Sequence, residues 1–163
     1  RRKMVEVFGQ GAEDSIMPLI NTAAVIGFGG VVTQTEGFGQ FAQWMLNADL
    51  PPLLSVFASA SVVSAIVGSS SGGLQIFMQT LAPSYLEMGV EPEILHRIAA
   101  IASGGLDSLP HCGAVIATFM IMGLTHKEAY KDMFMVTVAI PVVACLASIA
   151  LLMALGVGVN PPV

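Results

Sequence analysis

The apolar segment from Leu53 to Pro83 is interrupted near its centre by the run Gly68-Ser69-Ser70-Ser71-Gly72-Gly73. As one straight helix, its roughly thirty residues would extend about 45 Å, which exceeds a hydrocarbon core of about 30 Å. Glycine and serine lower the cost of leaving the helix at that run. Segment 53–83 therefore predicts a re-entrant helical hairpin, whose tip is buried in protein or lines an aqueous cavity near the midplane of a bilayer.

The composition places the chain in a membrane. Of its 163 residues, 55% are hydrophobic and 10% are charged. A soluble domain carries about a quarter charged residues, so this chain has too few to cover a water-facing surface. The net charge of -5 arises mostly between the apolar segments and indicates no nucleic-acid partner. Cys112 and Cys145 lie in apolar runs and imply neither a disulfide nor a metal site.

The remaining segments complete a predicted all-α, polytopic helical bundle. Two of them are spanning helices, at 16–33 and at 133–158, the second with a kink at Pro141. Segment 38–48 predicts an interfacial helix anchored by aromatic residues. Glu36, which precedes it, is either a loop acid or an intramembrane acid.

Segment 94–123 predicts a discontinuous helix, because Ser103 to Cys112 (SGGLDSLPHC) interrupts it. Its first half is expected to end at Ala102, and its second half to begin at Pro110. In the polar loop that follows, Thr125 and Glu128 have the spacing of a capping box. We expect His96 and His126 to be solvated.

The charges of the loops favour the hairpin over a simple crossing. With a hairpin, Lys127 and Lys131 lie on the same side of the membrane as the amino-terminal Arg1, Arg2 and Lys3, as the positive-inside rule requires. A simple crossing at 53–83 would place the two groups on opposite sides.

The two interruptions together predict an anion site. Helix amino termini are expected after Ser71-Gly72 and near Pro110, and converging helix dipoles with serine hydroxyls suit a carboxylate. Asp107 and His111 are the ionisable pair deep in the chain, which makes them candidates for a proton relay or a cation site.

Each feature also has a structural interpretation. The serine–glycine run could be a packed turn, Asp107 could cap the half-helix that follows it, and His111 could be a structural histidine. The run also matches the G-x-S-x-G motif of serine hydrolases, although no strand precedes it. An intramembrane serine hydrolase that uses Ser70 or Ser71 with His111 is therefore an alternative.

The phrases GSSSGG, LHRIAAIASGGLDSLPHCGAVI and GLTHKEAYKDMFMVT resemble the C-terminal part of the gluconate:proton symporter (gluconate permease) family, within the ion transporter superfamily. The resemblance covers residues 16–156 and is most specific at 95–137. The family has Asn where this chain has Cys112. Its members are longer, so the chain is interpreted as the C-terminal half of an inverted-repeat transporter whose N-terminal half is missing.

The resemblance implies a multi-pass secondary transporter of the bacterial inner membrane, not an enzyme, which takes up gluconate or a related small hydroxy-monocarboxylate with protons. It implies no cofactor and no metal; sodium is the alternative coupling ion, and a homodimer is possible. A non-transporting scaffold subunit is a hypothesis of another class. Asp107 and His111 are the expected proton-coupling residues, and the expected substrate-binding residues are Gly68, Ser69, Ser70, Ser71, Gly72, Gly73, Gly104, Gly105, Ser108 and His111.

Overall fold

A computed structural model describes residues 2–159, apart from the side chains of residues 2, 14, 17, 18, 21, 22, 25 and 26. Residues 1 and 160–163 lie outside the described residues, and so does the side chain of Arg2. The predicted basic cluster is therefore described only in part, since it includes Arg1 and Arg2. The helices are α1 (Arg2–Val32), α2 (Glu36–Leu46), α3 (Pro52–Val67), α4 (Ser70–Thr80), α5 (Ala82–Glu87), α6 (Pro92–Leu106), α7 (Gly113–Met122), α8 (His126–Phe134), a π-helical turn (Met135–Ala139) and α9 (Ile140–Ala154).

The predicted all-helical fold is confirmed for residues 2–159, where the only strand-like pairing is an isolated bridge between Val90 and Val159. Over the same described part, one helix is long and apolar enough to cross a membrane, the continuous 29-residue run His126–Ala154. Many large apolar side chains are exposed, among them Met120, Ile121 and Val143. A helical membrane protein accounts for this exposure, because lipid or further protein can cover such side chains.

Helix α3 lies at the centre of the bundle and packs against α6, α4, α9 and α2. Val56 and Ala60 of α3 and Ala99 of α6 are fully buried. The Ser61 hydroxyl donates to the Ala102 carbonyl of α6 at 3.1 Å. Small residues let the two backbones approach closely, so α3 and α6 form the central pair, against which α2, α4, α5 and α9 pack.

The chain reverses between α3 and α4 over only two residues. Gly68 has φ 64°, in the left-handed region that glycine adopts without strain, and its N–H donates to the Ser64 carbonyl at 2.8 Å. Ser69 is the N-cap of α4, and its hydroxyl accepts from the Gly72 N–H at 3.3 Å. The expected unwound run is therefore shorter than 68–73, because Ser70 to Gly73 form the first turn of α4.

The glycines of that first turn serve close packing instead of unwinding. Gly72 and Gly73 are buried, and a Cβ at Gly73 would overlap both the backbone and the hydroxyl of Ser64 on α3. The Ser64 hydroxyl is buried and has no hydrogen-bond partner within the described chain. Helices α3 and α4 can pack this closely only because residue 73 is a glycine and has no side chain.

The two ends of the α3–α4 hairpin are joined by a buried hydrogen-bond network. The Ser55 hydroxyl donates to the Met45 carbonyl at 2.9 Å and lies 2.7 Å from the Tyr85 hydroxyl. Ser59 lies 3.1 Å from the same Tyr85 oxygen. The segments that enter and leave the hairpin, α2 and α5, therefore meet at one end of α3.

The break between α6 and α7 begins later than the sequence indicates. Gly104 and Gly105 belong to α6, which ends at Leu106, and α7 begins at Gly113 instead of at Pro110. A Cβ at Gly105 would lie 3.1 Å from Val142 Cγ2, so this glycine allows α6 to approach α9. Asp107 follows the end of α6 as its C-cap residue and does not cap the next half-helix, whose N-cap is Cys112.

Two other boundaries differ from the expected ones, and the predicted kink takes a different form. Helix α1 continues through the polar residues before Ile16, and α2 covers 36–46, which makes Glu36 its first residue instead of a loop residue. The predicted kink at Pro141 takes the form of the π-helical turn 135–139, since proline cannot donate to the carbonyl four residues earlier and its ring would clash there.

Candidate functional site

The turn of the hairpin meets the break between α6 and α7. His111 Nε2 lies 2.8 Å from the Ala65 carbonyl oxygen on the last turn of α3. A Cβ at Gly68 would lie 3.6 Å from His111 Cδ2 and from Cys112 Cα. Two motifs separated by more than thirty residues are therefore in direct contact. We call the turn 68–69, the break 107–112 and the first turns of α4 and α7 the candidate site.

Two helix amino termini, those of α4 and α7, lie beside the contact of Gly68 with His111 and Cys112. The α4 terminus is capped by the Ser69 side chain, whereas the α7 terminus begins after Cys112, whose side chain makes no capping hydrogen bond. The first N–H groups of a helix have no partner in their own helix, and they carry the positive end of its dipole. This arrangement suits a carboxylate, which accepts hydrogen bonds and carries the complementary charge.

The polar side chains of the site are small and close to the backbone. The Ser69 and Ser71 hydroxyl oxygens lie 3.4 Å apart across the first turn of α4. The Ser108 hydroxyl donates to Asp107 Oδ1 at 3.0 Å. Asp107 is half-buried and His111 is exposed within the described chain.

Two side chains of α8 hold the break in place, and the sequence does not reveal them. His126 Nε2 lies 3.0 Å from the Pro110 carbonyl, and the Tyr130 hydroxyl donates to the Ser108 carbonyl at 3.1 Å. The His126 side chain is exposed, as expected for a solvated histidine, and its contact with the Pro110 carbonyl gives it a structural role in addition. The one signal in the sequence is the spacing of four between His126 and Tyr130, which places both on one helix face.

Gly104 and Gly105 were expected in the site and lie outside it, in α6, whereas Gly73 lies within it, in the first turn of α4. His111, Gly68 and Cys112 are brought together, and Asp107 and Ser108 lie within the break. In contrast, Gly73 packs against Ser64 and Gly105 faces α9, so these two glycines shape the packing of the helices. Gly104 lies one turn before the break, and no atom of another part of the described chain lies within 4 Å of a Cβ placed there.

A serine–histidine dyad is not formed in the described chain. His111 Nε2 is engaged by the Ala65 carbonyl, and the Ser71 hydroxyl pairs with that of Ser69. Ser70 makes no side-chain hydrogen bond with His111. Because a nucleophilic serine needs its base within hydrogen-bond distance, the geometry does not favour a hydrolase.

Over 139 residues, the chain is 33% identical to YxjC, described as an uncharacterized transporter, of Bacillus subtilis (strain 168). The match covers 83% of this chain and 29% of that relative. The chain thus spans less than a third of the length of the transporter it matches.

No protein-family model matches the chain, and no solved structure matches it. The similarity supports a transporter role, and a transporter is ordinarily not an enzyme. The description of the relative names no substrate and no coupling ion.

Proposed function

We propose that the protein that carries this chain is a secondary active transporter, which takes up gluconate or a related small hydroxy-monocarboxylate together with protons across the bacterial inner membrane. The observation that supports this most is the contact between the hairpin turn and the helix break, where His111 lies 2.8 Å from the Ala65 carbonyl. Interrupted helices whose amino termini point at an anionic group of the substrate are typical of carboxylate sites in transporters. The resemblance of the breaks to those of gluconate permeases supports the substrate class.

In this proposal the carboxylate binds between the amino termini of α4 and α7. The N–H groups at the start of α7 and the hydroxyls of Ser69 and Ser71 supply the hydrogen bonds. No Lys or Arg lies in the candidate site as defined, so backbone dipoles balance the negative charge of the substrate. The protein would then alternate between two states in which the loaded site faces opposite sides of the membrane.

His111 and Asp107 are the proposed proton-coupling residues. With its hydrogen on Nε2 the imidazole donates to the Ala65 carbonyl, and the lone pair of Nδ1 is then left to accept a proton. Asp107, which accepts from Ser108, is the second group that can change its charge in the break. Backbone carbonyls and a carboxylate also suit Na⁺, which makes sodium coupling the alternative.

The test is uptake of labelled D-gluconate into proteoliposomes that contain the native full-length protein. An inward proton gradient should drive accumulation, and a sodium gradient at equal pH should not. The variant that combines Asp107→Asn with His111→Ala should lose gradient-driven uptake. The matched control combines Asp132→Asn with His96→Ala, at two exposed positions outside the site, and should retain it. If the variant with Asp107→Asn and His111→Ala still accumulates gluconate under a proton gradient, these two residues do not couple transport to protons.

A further inference from the structure

A pocket of about 140 Å³ lies between α1 and α4, and its lining has both polar and apolar atoms. Its lining includes Gly30 and Thr33 from α1 and Gly72, Gln75, Gln79 and Thr80 from α4. The lining residues are uncharged. Gly72 belongs to the first turn of α4, and Gln79 lies seven residues further on, so the pocket extends about 10 Å along the helix from the candidate site.

The pocket can both donate and accept hydrogen bonds. Gln75 and Gln79 are four residues apart and share a face of α4, and each amide offers two N–H donors and a carbonyl acceptor. Neither amide makes a hydrogen bond within the described chain. The hydroxyls of Thr33 and Thr80 donate to the carbonyls of Gly30 and Ile76 at 3.0 and 2.7 Å, which leaves their oxygens free to accept. A neutral partner rich in hydroxyl groups matches this set.

We propose that this pocket binds the hydroxylated chain of the substrate while the carboxylate occupies the candidate site, so that Gln75 and Gln79 select polyhydroxy acids over short hydroxy acids. This inference rests on the proposed function. The volume of 140 Å³ is that of four or five groups of about 30 Å³, the volume of a water molecule in the liquid. Such a chain of hydroxymethylene groups fits, and its amide partners lie along one line that starts at Gly72.

The position of the pocket favours this role over a second carboxylate site. Among the described residues, the lining has no cationic side chain, and it includes the middle and the end of α4, where the helix dipole no longer favours an anion. An acyl chain is also a poor occupant, since it would leave the two amides without hydrogen-bond partners.

Gly30 offers a way to fill the pocket without disturbing the helices. Nothing lies within 4 Å of a Cβ at Gly30, and the same is true of Gly27, one turn earlier on α1 and outside the pocket lining. Gly30→Val therefore places two methyl groups in the pocket. Gly27→Val introduces the same β-branched residue into the same helix and serves as the matched control.

The experiment measures KM and maximal rate for labelled D-gluconate, and inhibition of that uptake by (R)-3-hydroxybutyrate, in proteoliposomes that contain the full-length protein. Gln75→Leu and Gln79→Leu should each raise KM for gluconate about 5- to 10-fold, the loss expected for one or two hydrogen bonds. Gly30→Val should raise KM by about the same factor, because its methyl groups occupy the space of the substrate chain. The maximal rate, the melting temperature and any inhibition by hydroxybutyrate should stay unchanged. Gly27→Val should leave all four values unchanged.

An unchanged KM in the three lining variants, or equal weakening of both acids, would overturn the subsite. If a lining variant fails to purify as a folded protein, the other two decide. A parent protein that takes up only short hydroxy acids would overturn the subsite and leave the transport proposal standing. A parent that takes up no carboxylate under either gradient would overturn the proposed function and the subsite together.

Discussion

Gly73 shows at the scale of one residue how a glycine in a helix can be required by its neighbour. It lies in the first turn of α4, where a Cβ would overlap Ser64 of α3. In a helix, alanine is ordinarily favoured over glycine by roughly 0.5–1 kcal/mol. We expect Gly73→Ala to reverse this preference and to destabilise the protein by about 1–3 kcal/mol, because the hairpin arms must separate.

The measurement is thermal unfolding of the purified full-length protein in detergent, with Gly39→Ala as the control. Gly39 is exposed in α2, and nothing lies within 4 Å of a Cβ there, so its replacement should leave the melting temperature equal or slightly higher. Equal melting temperatures for the two alanine variants would show that α3 and α4 do not pack as described.

The same residues show why the extent of the breaks could not be predicted from the sequence. The local pattern predicts unwound backbone at Gly72-Gly73 and Gly104-Gly105, and all four residues are helical. Glycine permits both a left-handed turn and a close helix contact. Which one occurs at a given position depends on a neighbour distant in sequence, such as Ser64 or Val142, that the local pattern does not reveal. Gly68, which precedes the capping residue Ser69, is the one position of the tip where the sequence predicts the turn that the structure has.

At the scale of one element, α8 fixes the conformation of the break that precedes α7. Its start could be predicted from the sequence: the Thr125 N–H donates to Glu128 Oε2 at 2.9 Å, as the capping-box spacing predicts. The Thr125 hydroxyl also donates to this oxygen, at 2.6 Å. Its contacts with the break could not be predicted, because α8 contacts the backbone carbonyls of Ser108 and Pro110, and backbone groups leave no pattern in the sequence. A polar loop helix therefore supports the candidate site without belonging to it.

Tyr130→Phe tests this support. It removes the hydroxyl that donates to the Ser108 carbonyl and keeps the ring. With one carbonyl released, the break should populate other conformations, and KM for D-gluconate should rise about fivefold, which corresponds to one hydrogen bond of about 1 kcal/mol. The measurement is the KM of gluconate uptake in proteoliposomes.

Tyr85→Phe is the matched control for this change. It removes the hydroxyl that contacts Ser55 and Ser59 at the other end of α3. The melting temperature should fall, since Tyr85 is fully buried, and KM should stay at the parent value. If Tyr130→Phe lowers the melting temperature in the same way and leaves KM unchanged, α8 has a structural role only.

At the scale of the whole molecule, the fold class followed from composition and segment length, whereas the contacts between segments had to come from the structure. The excess length of segment 53–83 indicated a reversal, and a reversal occurs at Gly68. The network of Met45, Ser55 and Tyr85 then joins the two ends of that segment. The backbone that enters α3 and the backbone that leaves α4 cannot lie on opposite sides of a bilayer while this network holds.

This geometry makes a prediction about membrane sidedness. Gln43 on α2 and Glu87 on α5 are exposed and flank the hairpin, and Lys127 is exposed at the start of α8. Single cysteines at 43 and 87 should both react with a membrane-impermeant maleimide in intact cells, and a cysteine at 127 should react only after permeabilisation. The native Cys112 and Cys145 are buried, and the unsubstituted protein measures their background. If positions 43 and 87 react from opposite sides, segment 53–83 crosses the membrane and the positive-inside argument for Lys127 fails with it.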